Sequence, residues 1–335
     1  MLLGIVDIGS NAIKYKIFNT KDNSLVEYYR EPLRLGKDAF TQGFLSELTL
    51  KQLAIVLERF KRVFSEKNIE KQFYMATSAI RDCTNKDEIL SLLKKQNIDL
   101  KIISGDTEAG LLKEFKANVD SYAILDIGGG SVEAFVNVNS QTYARSFQLG
   151  AVRLLNKDKS YKEREMSDFG NWLKQYAPVK KLYGLGGNLR AIFEANNHSG
   201  PLSSEEFTEF VREYNSVSKK DLIEKFSIPE DRIDIIPLAA EIYELSLASL
   251  NCNVIENSFW SISRNKTRVV CIMILCSYLT PYMIIIHVDE KISMKRTIIM
   301  LICFRRSPFI WPSRFIICRH KKHFCNRIRK KSGMF

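Results

Sequence analysis

Tyr122-Ala123-Ile124-Leu125-Asp126-Ile127-Gly128-Gly129-Gly130-Ser131 is the stretch on which the fold turns. An apolar run of four residues leads into an Asp and a glycine cluster. Two further alternating runs, residues 131–138 and 142–148, then read as outgoing strands. The same arrangement opens the chain. Ile5-Val6-Asp7-Ile8-Gly9 stands beside Ile124-Leu125-Asp126-Ile127-Gly128, and after it Ile13, Tyr15 and Ile17 alternate with Lys14 and Lys16. Each copy is a buried strand, an Asp-x-Gly turn and a half-buried strand. A repeat this widely spaced signals duplicated α/β units and not a solenoid. Two such units facing each other offer a cleft where the strand ends and their loops converge.

Outward from the two hairpins, residues 25–29 read as a third strand. Thr49 opens a helix with the stripe Leu50, Leu53, Leu57, Phe60 and Phe64, and Gln52 stands in capping-box position. Residues 73–76 and 100–103 read as strands. Between them Thr84 caps a helix that buries Ile89, Leu90, Leu92 and Leu93, and another helix starts near Asp106. In the second half, residues 182–185 form a strand, Gly186-Gly187 a turn and residues 188–195 a helix. Residues 203–225 and 237–250 are helical, and 252–255 form a short strand.

Length, at 335 residues, suits two domains better than one. With 45% hydrophobic and 26% charged residues the chain is of soluble globular type, which excludes a disordered, collagen-like or polytopic membrane protein. The net charge of +12 points to nucleic acid or an anionic membrane only until its distribution is read. Residues 265–335 hold 15 Lys and Arg against 2 Asp and Glu, leaving 35 basic and 36 acidic residues in 1–264. No specific nucleic-acid partner is therefore expected. Only Cys83 and Cys252 of the seven cysteines precede the tail, so no disulfide framework is implied and a reducing compartment fits. Met1-Leu2-Leu3 runs into Gly4 and Asp7 without a basic region or cleavage site, so a cytoplasmic protein is expected.

The loops suggest chemistry. A glycine cluster lets backbone N–H groups approach phosphate oxygens; a single such loop reads better as a tight turn, but two, each after a buried strand and an Asp, favour a phosphate cradle. A single Asp at the end of a buried strand reads as a cap for the turn that follows; two equivalent ones, Asp7 and Asp126, are better placed to hold a hard cation such as Mg²⁺. Zinc finds no ligand set, since His198 is the one histidine before the tail. Glu108, in the first turn of its helix, reads as a dipole-complementing carboxylate, Glu133 as a strand residue facing solvent, and Arg81 as an ion-pair partner of Asp82 or Glu108 or a bidentate phosphate clamp.

Taken together, the ordered motifs resemble the exopolyphosphatase / guanosine pentaphosphate phosphohydrolase (Ppx/GppA) family. They are Asp7-Ile8-Gly9-Ser10-Asn11, Ala76-Thr77-Ser78-Ala79-Ile80-Arg81-Asp82, Ile103-Ser104-Gly105-Asp106-Thr107-Glu108-Ala109, Asp126-Ile127-Gly128-Gly129-Gly130-Ser131-Val132-Glu133, Leu149-Gly150-Ala151-Val152-Arg153-Leu154 and Gly184-Leu185-Gly186-Gly187-Asn188-Leu189-Arg190. The resemblance covers most of residues 1–257. It implies an α/β fold of duplicated actin-like (ribonuclease-H-like) domains facing a cleft, residues 1–121 and 122–257, the second lacking its final elements. It implies a Mg²⁺-dependent hydrolase that releases terminal phosphate from polyphosphate or guanosine pentaphosphate. Glu108 would orient or deprotonate the attacking water. Asp7, Asp126 and Glu133 would hold the metal or the water, and Asn11, Arg81, Gly128, Gly129, Gly130 and Ser131 would grip phosphates. A homodimer is a further expectation. The family pattern departs at Asp106-Thr107, Val132 and Asn188. An actin-superfold kinase is the alternative enzyme, suggested by Gly186-Gly187 before a helix, and a polyphosphate- or nucleotide-binding remnant without turnover is the non-enzymatic one. No Ser–His or Cys–His pair suggests a covalent route.

Residues 258–335 do not continue the pattern. Residues 269–288 carry no formal charge over twenty positions, long enough to span a membrane, but Pro281 and the β-branched content make a poor spanning helix. A tail translated out of the ancestral frame is the preferred expectation, ahead of a membrane anchor or a partner-covered extension.

Overall fold

Both Asp-x-Gly segments end the central strand of a sheet. The computed structural model describes residues 1–22 and 24–258 and the backbone of two two-residue strands, Met300–Leu301 and Ile316–Ile317. The chain divides into the units Met1–Thr267 and Arg268–Phe335, and both large sheets belong to the first. The expectations for the tail, including the uncharged stretch 269–288, fall outside the described residues. Among the described residues no helix is long and apolar enough to cross a membrane.

The first sheet contains β1 (Leu2–Ile8), β2 (Ile13–Asn19), β3 (Ser24–Glu31), β4 (Lys71–Ala76) and β5 (Leu100–Ile102), in the order β3-β2-β1-β4-β5. The second contains β6 (Tyr122–Ile127), β7 (Val132–Val138), β8 (Gln141–Phe147), β9 (Lys181–Leu185), β10 (Pro201–Ser203) and β11 (Val254–Asn257), in the order β10-β11-β9-β6-β7-β8. Read from the other edge, β8-β7-β6-β9-β11 repeats the first sheet. In each, the central strand pairs antiparallel with its hairpin partner and parallel with a later strand. β1 and β6 are apolar nearly throughout because they lie mid-sheet with both faces covered.

The duplication extends to single hydrogen bonds. Gly9 N donates to Ala12 O at 3.2 Å, and Gly128 N to Ser131 O at 3.0 Å. Asp7 pairs across its hairpin with Lys14, and Asp126 with Glu133. The duplicated α/β fold of actin-like type is thus observed.

Helices pack on these sheets with local differences from expectation. The helix Glu47–Glu66 buries the expected stripe and also Val56. It starts earlier than expected, because Ser46 and not Thr49 is the cap: its hydroxyl accepts from Thr49 N at 3.3 Å. Thr84 does not cap the helix Lys86–Lys95; its hydroxyl donates to Gly43 O. The stretch 203–225 is two helices, Ser204–Ser216 and Lys219–Glu224. Extended Val217 ends the first, and the Ser218 hydroxyl caps the second. Four α-helices carried no expectation: the short Gly36–Thr41, Ser78–Arg81 and Ala151–Leu155, and the long Lys159–Lys174. The last buries only Phe169, Gly170 and Leu173, too narrow a stripe to stand out in so polar a segment.

Candidate active site

The hairpin loops after β1 and β6 meet at close range. A Cβ on Gly130 would stand 2.6 Å from Ser10 Oγ and 2.5 Å from a Phe40 ring carbon, and would overlap Ser78 Oγ. One on Gly129 would lie 3.1 Å from the Asn11 backbone nitrogen. One on Gly150 would overlap the backbone of Gly130 and Ser131. These glycines are therefore required by approach, and side chains there would push the loops apart. Between and around the loops lies a cavity of about 130 Å³. Every expected site residue except Arg81 lines it: Asp7, Asn11, Glu108, Asp126, Gly128, Gly129, Gly130, Ser131 and Glu133.

Three carboxylates converge from different elements. Glu133, on β7, is 4% exposed and accepts a hydrogen bond from Ser146 Oγ at 2.9 Å. It does not face solvent. Burial first, then the charges of Glu108 and Asp126, push its pKa well above the ordinary value, against hydrogen bonds from Ser131 and Ser146. Glu108 is 7% exposed, on the short helix Gly105–Leu111. The Ser104 hydroxyl caps that helix by accepting from Thr107 N, and a Cβ at Gly105 would stand 2.7 Å from Ser146 Cβ. Ser146 thus touches both the start of the Glu108 helix and the Glu133 carboxylate. Asp126 faces Gly186, whose φ of +82° and missing Cβ leave room for the carboxylate: a Cβ there would stand 2.9 Å from Asp126 Oδ1.

Arg81, expected as a phosphate clamp or as an ion-pair partner of Asp82 or Glu108, pairs with both carboxylates. It lies behind Glu108 and off the cavity wall. Its Nη1 stands 3.6 Å from Glu108 Oε2 and donates to Ile103 O at 2.9 Å, and its Nε is 3.4 Å from Asp82 Oδ1. These contacts are those of the ion-pair reading. Asn11 lines the cavity but its side chain is engaged: Nδ2 donates to Asp231 Oδ2 at 3.1 Å, and Oδ1 accepts from Arg34 Nε at 3.3 Å.

Other cations reach the cavity that the motifs did not single out. Lys14 occupies in the first hairpin the register place of Glu133 in the second, so the duplicated positions oppose a base to an acid. The alternation of β2 marked Lys14 only as polar; its pairing with Asp7 is what brings it to the cavity. Arg232 lies in no motif. Its Nη1 donates to Asn188 Oδ1 at 2.8 Å, Asn188 Nδ2 donates to Ile127 O at 3.0 Å, and a Cβ on Gly187 would stand 2.7 Å from the guanidinium carbon. Burial, then neighbouring Arg30, lowers the Arg232 pKa. Among the described residues no three His, Cys, Asp or Glu gather closely enough to hold a metal ion by themselves. A Mg²⁺ site does not need three, because that ion keeps waters and takes one or two carboxylates together with substrate phosphates. The carboxylate oxygens beside the glycine loop are donors of that kind.

The model of the Ppx/GppA phosphatase family matches residues 17–263. The chain belongs to this family. Among solved Ppx/GppA-type structures, an exopolyphosphatase from Cytophaga hutchinsonii superposes with a TM-score of 0.72 at 20% identity, covering 81% of this chain and 97% of the other. The Aquifex aeolicus Ppx/GppA family member superposes with a TM-score of 0.65 at 21% identity, covering 82% and 98%. Both likenesses concern the fold. A bifunctional 3-dehydroquinate synthase/phosphatase of Fusobacterium nucleatum is 30% identical over 194 residues, 51% of this chain and 29% of that protein. Exopolyphosphatase 1 of Mycobacterium tuberculosis is 25% identical over 186 residues, 52% of this chain and 54% of that protein. The chain therefore spans about half or less of the curated relatives' length.

Proposed function

We propose that this Ppx/GppA chain is a phosphohydrolase that releases the terminal phosphate of inorganic polyphosphate, of guanosine pentaphosphate, or of both. One observation supports this above the rest: Glu108, Asp126, Glu133 and the 128–131 glycine loop share one cavity. Phosphoryl transfer needs charge neutralisation and an in-line water more than covalent chemistry. The amides of Gly129 and Gly130, in the turn that Gly128 closes, and the Ser131 hydroxyl bind the terminal phosphoryl oxygens. Glu108 orients the water opposite the leaving phosphate and takes its proton. Asp126, with Asp7 and Glu133 beside it, would hold Mg²⁺, which neutralises charge on the phosphate oxygens. The crowding of Glu108, Asp126 and Glu133 suits that cation, since each carboxylate raises the cost of ionising the others. Arg81 acts on Glu108 and not on phosphate in this reading. Residues 1–121 and 122–257 are the two facing domains, and the setting is cytoplasmic.

Asp126→Asn keeps the side-chain shape and removes its charge. Steady-state phosphate release from polyphosphate, titrated with Mg²⁺, should lose its Mg²⁺-dependent turnover in the variant while the thermal unfolding transition persists. An unchanged Mg²⁺ dependence ends the assignment. The Gly186-Gly187 turn on the cavity wall keeps a kinase reading in play. ADP formation with a sugar or acetate acceptor, without phosphate release from polyphosphate, would select it. Binding of polyphosphate with no turnover at all would select a non-catalytic remnant.

A further inference from the structure

The segment Leu149-Gly150-Ala151-Val152-Arg153 has no part in the chemistry described so far, yet it holds a buried charge. Arg153 is 7% exposed, and its guanidinium lies 4.0 Å from the Phe40 ring centroid. Its Nε donates to Gly130 O at 2.6 Å, inside the phosphate loop, and its Nη2 bonds Asp82 Oδ2. Its backbone nitrogen donates to Gly129 O at 2.9 Å, and that of Ala151 to Gly128 O at 3.1 Å. Three successive loop carbonyls, those of Gly128, Gly129 and Gly130, are thereby held by this helix start. Asp82, at the other end, is also the neighbour of Arg81, and Arg81 pairs with Glu108.

We infer that Arg153 and Asp82 are positioning residues that tie the phosphate loop to the carboxylate acting on the water. The path is Gly130, Arg153, Asp82, Arg81, Glu108. It crosses from the second sheet's hairpin loop to the segment after β4 and on to the helix that carries Glu108. Burying an arginine is costly unless it is paired and hydrogen-bonded, and Arg153 satisfies two of its nitrogens on this path and covers its face with Phe40. A link of this kind fixes the distance between the bound phosphoryl group and the attacking water. Misplacement by about 1 Å costs up to about 10²-fold in rate.

The inference rests on Glu108 as the base, and the test separates the two. Asp82→Asn, Glu108→Gln and the double variant are compared in the full chain by phosphate release from polyphosphate at saturating Mg²⁺. Asp82→Asn should lower kcat by about 10- to 100-fold with KM little changed. In the Glu108→Gln background the same substitution should cost little more, because residues acting through one group are not additive. If Asp82→Asn costs as much there as in the wild type, the path does not act through Glu108 and the inference fails, with the base assignment intact. If Glu108→Gln alone keeps the wild-type rate, the base assignment fails and takes the path with it. Should Asp82→Asn unfold the chain, Arg153→Lys enters the same cycle: it keeps the charge and gives up the Nε bond to Gly130 O. The same non-additivity is expected, and simple additivity would overturn the inference.

Discussion

Gly130 illustrates how little freedom single positions in this cavity have. Its would-be Cβ meets Ser10, Phe40 and Ser78 at once, all three from the opposing half of the fold. Gly130→Ala should therefore cost about 1–3 kcal/mol of stability, the usual range for overpacking, and reduce turnover by shifting the loop amides. A thermal unfolding midpoint equal to wild type would show that the loop yields and that the close approach is not needed. Glu133 is the converse case, a residue kept at a cost. Its carboxyl is buried beside two other acids, so ionising it is unfavourable. Its pKa is raised in the fold, so the penalty is absent at acid pH, where the group is protonated folded or unfolded, and grows as pH rises through the folded value. Glu133→Gln, measured in chelator, should be more stable than wild type at pH 7 and no more stable near pH 4, while losing turnover. Equal stability at both pH values would contradict the crowding argument.

At the level of elements, Asp38 anchors the start of the longest helix. It accepts from Ser46 N at 2.9 Å, Ser46 Oγ at 2.6 Å and Thr49 Oγ1 at 2.7 Å. Burial pushes its pKa up, but these hydrogen bonds win and hold it below the ordinary 3.8. Its contribution is thus present above that value and lost as pH falls through the folded one. Asp38→Asn should cost about 1 kcal/mol at pH 7, the worth of a helix cap, and the difference in unfolding midpoint should close at strongly acid pH. A gap that persists there would mean shape, not charge, is responsible. The same helix shows what sequence could and could not reveal. Leu50, Leu53, Leu57, Phe60 and Phe64 mark its buried face by spacing alone. Its start was not legible, because Ser46 and Thr49 both have capping chemistry and only the distant Asp38 decides between them. The two hairpins were legible for a different reason: strand period and glycine turns are local signals. The residues that join the halves, Arg153 with Asp82 and Arg34 with Asp234, are 71 and 200 positions apart, and no local period reports such pairs. Glu108 and Glu133 were found through the family motifs, since neither spacing nor periodicity marks them as buried.

Across the whole described fold, a second set of ion pairs bridges the halves near the cavity. Arg34 holds Asp234 through both Nη atoms at 2.6 Å, and Arg30 and Asn11 hold Asp231. Side chains in the Arg34 pair are 26% and 29% exposed, so solvent screens them in part. Asp234→Asn should cost about 1 kcal/mol or less at low salt and less still at 1 M, where screening reaches about 3 Å. A salt-independent loss would place the effect in packing. The basic character of the chain as a whole belongs to residues 265–335. A chain ending at residue 264 should lose the whole +12 net charge, since 35 basic and 36 acidic residues remain, and an isoelectric point still above 9 would contradict that distribution.

The central claim is that one cavity binds a terminal phosphoryl group with the 128–131 loop and activates water with Glu108. Its most direct test is kcat for phosphate release from polyphosphate by Glu108→Gln at saturating Mg²⁺. The account predicts a fall of about 10²–10⁴-fold with substrate binding unchanged or slightly tighter, because a negative charge near the phosphates is removed. A variant that keeps near-wild-type kcat contradicts it.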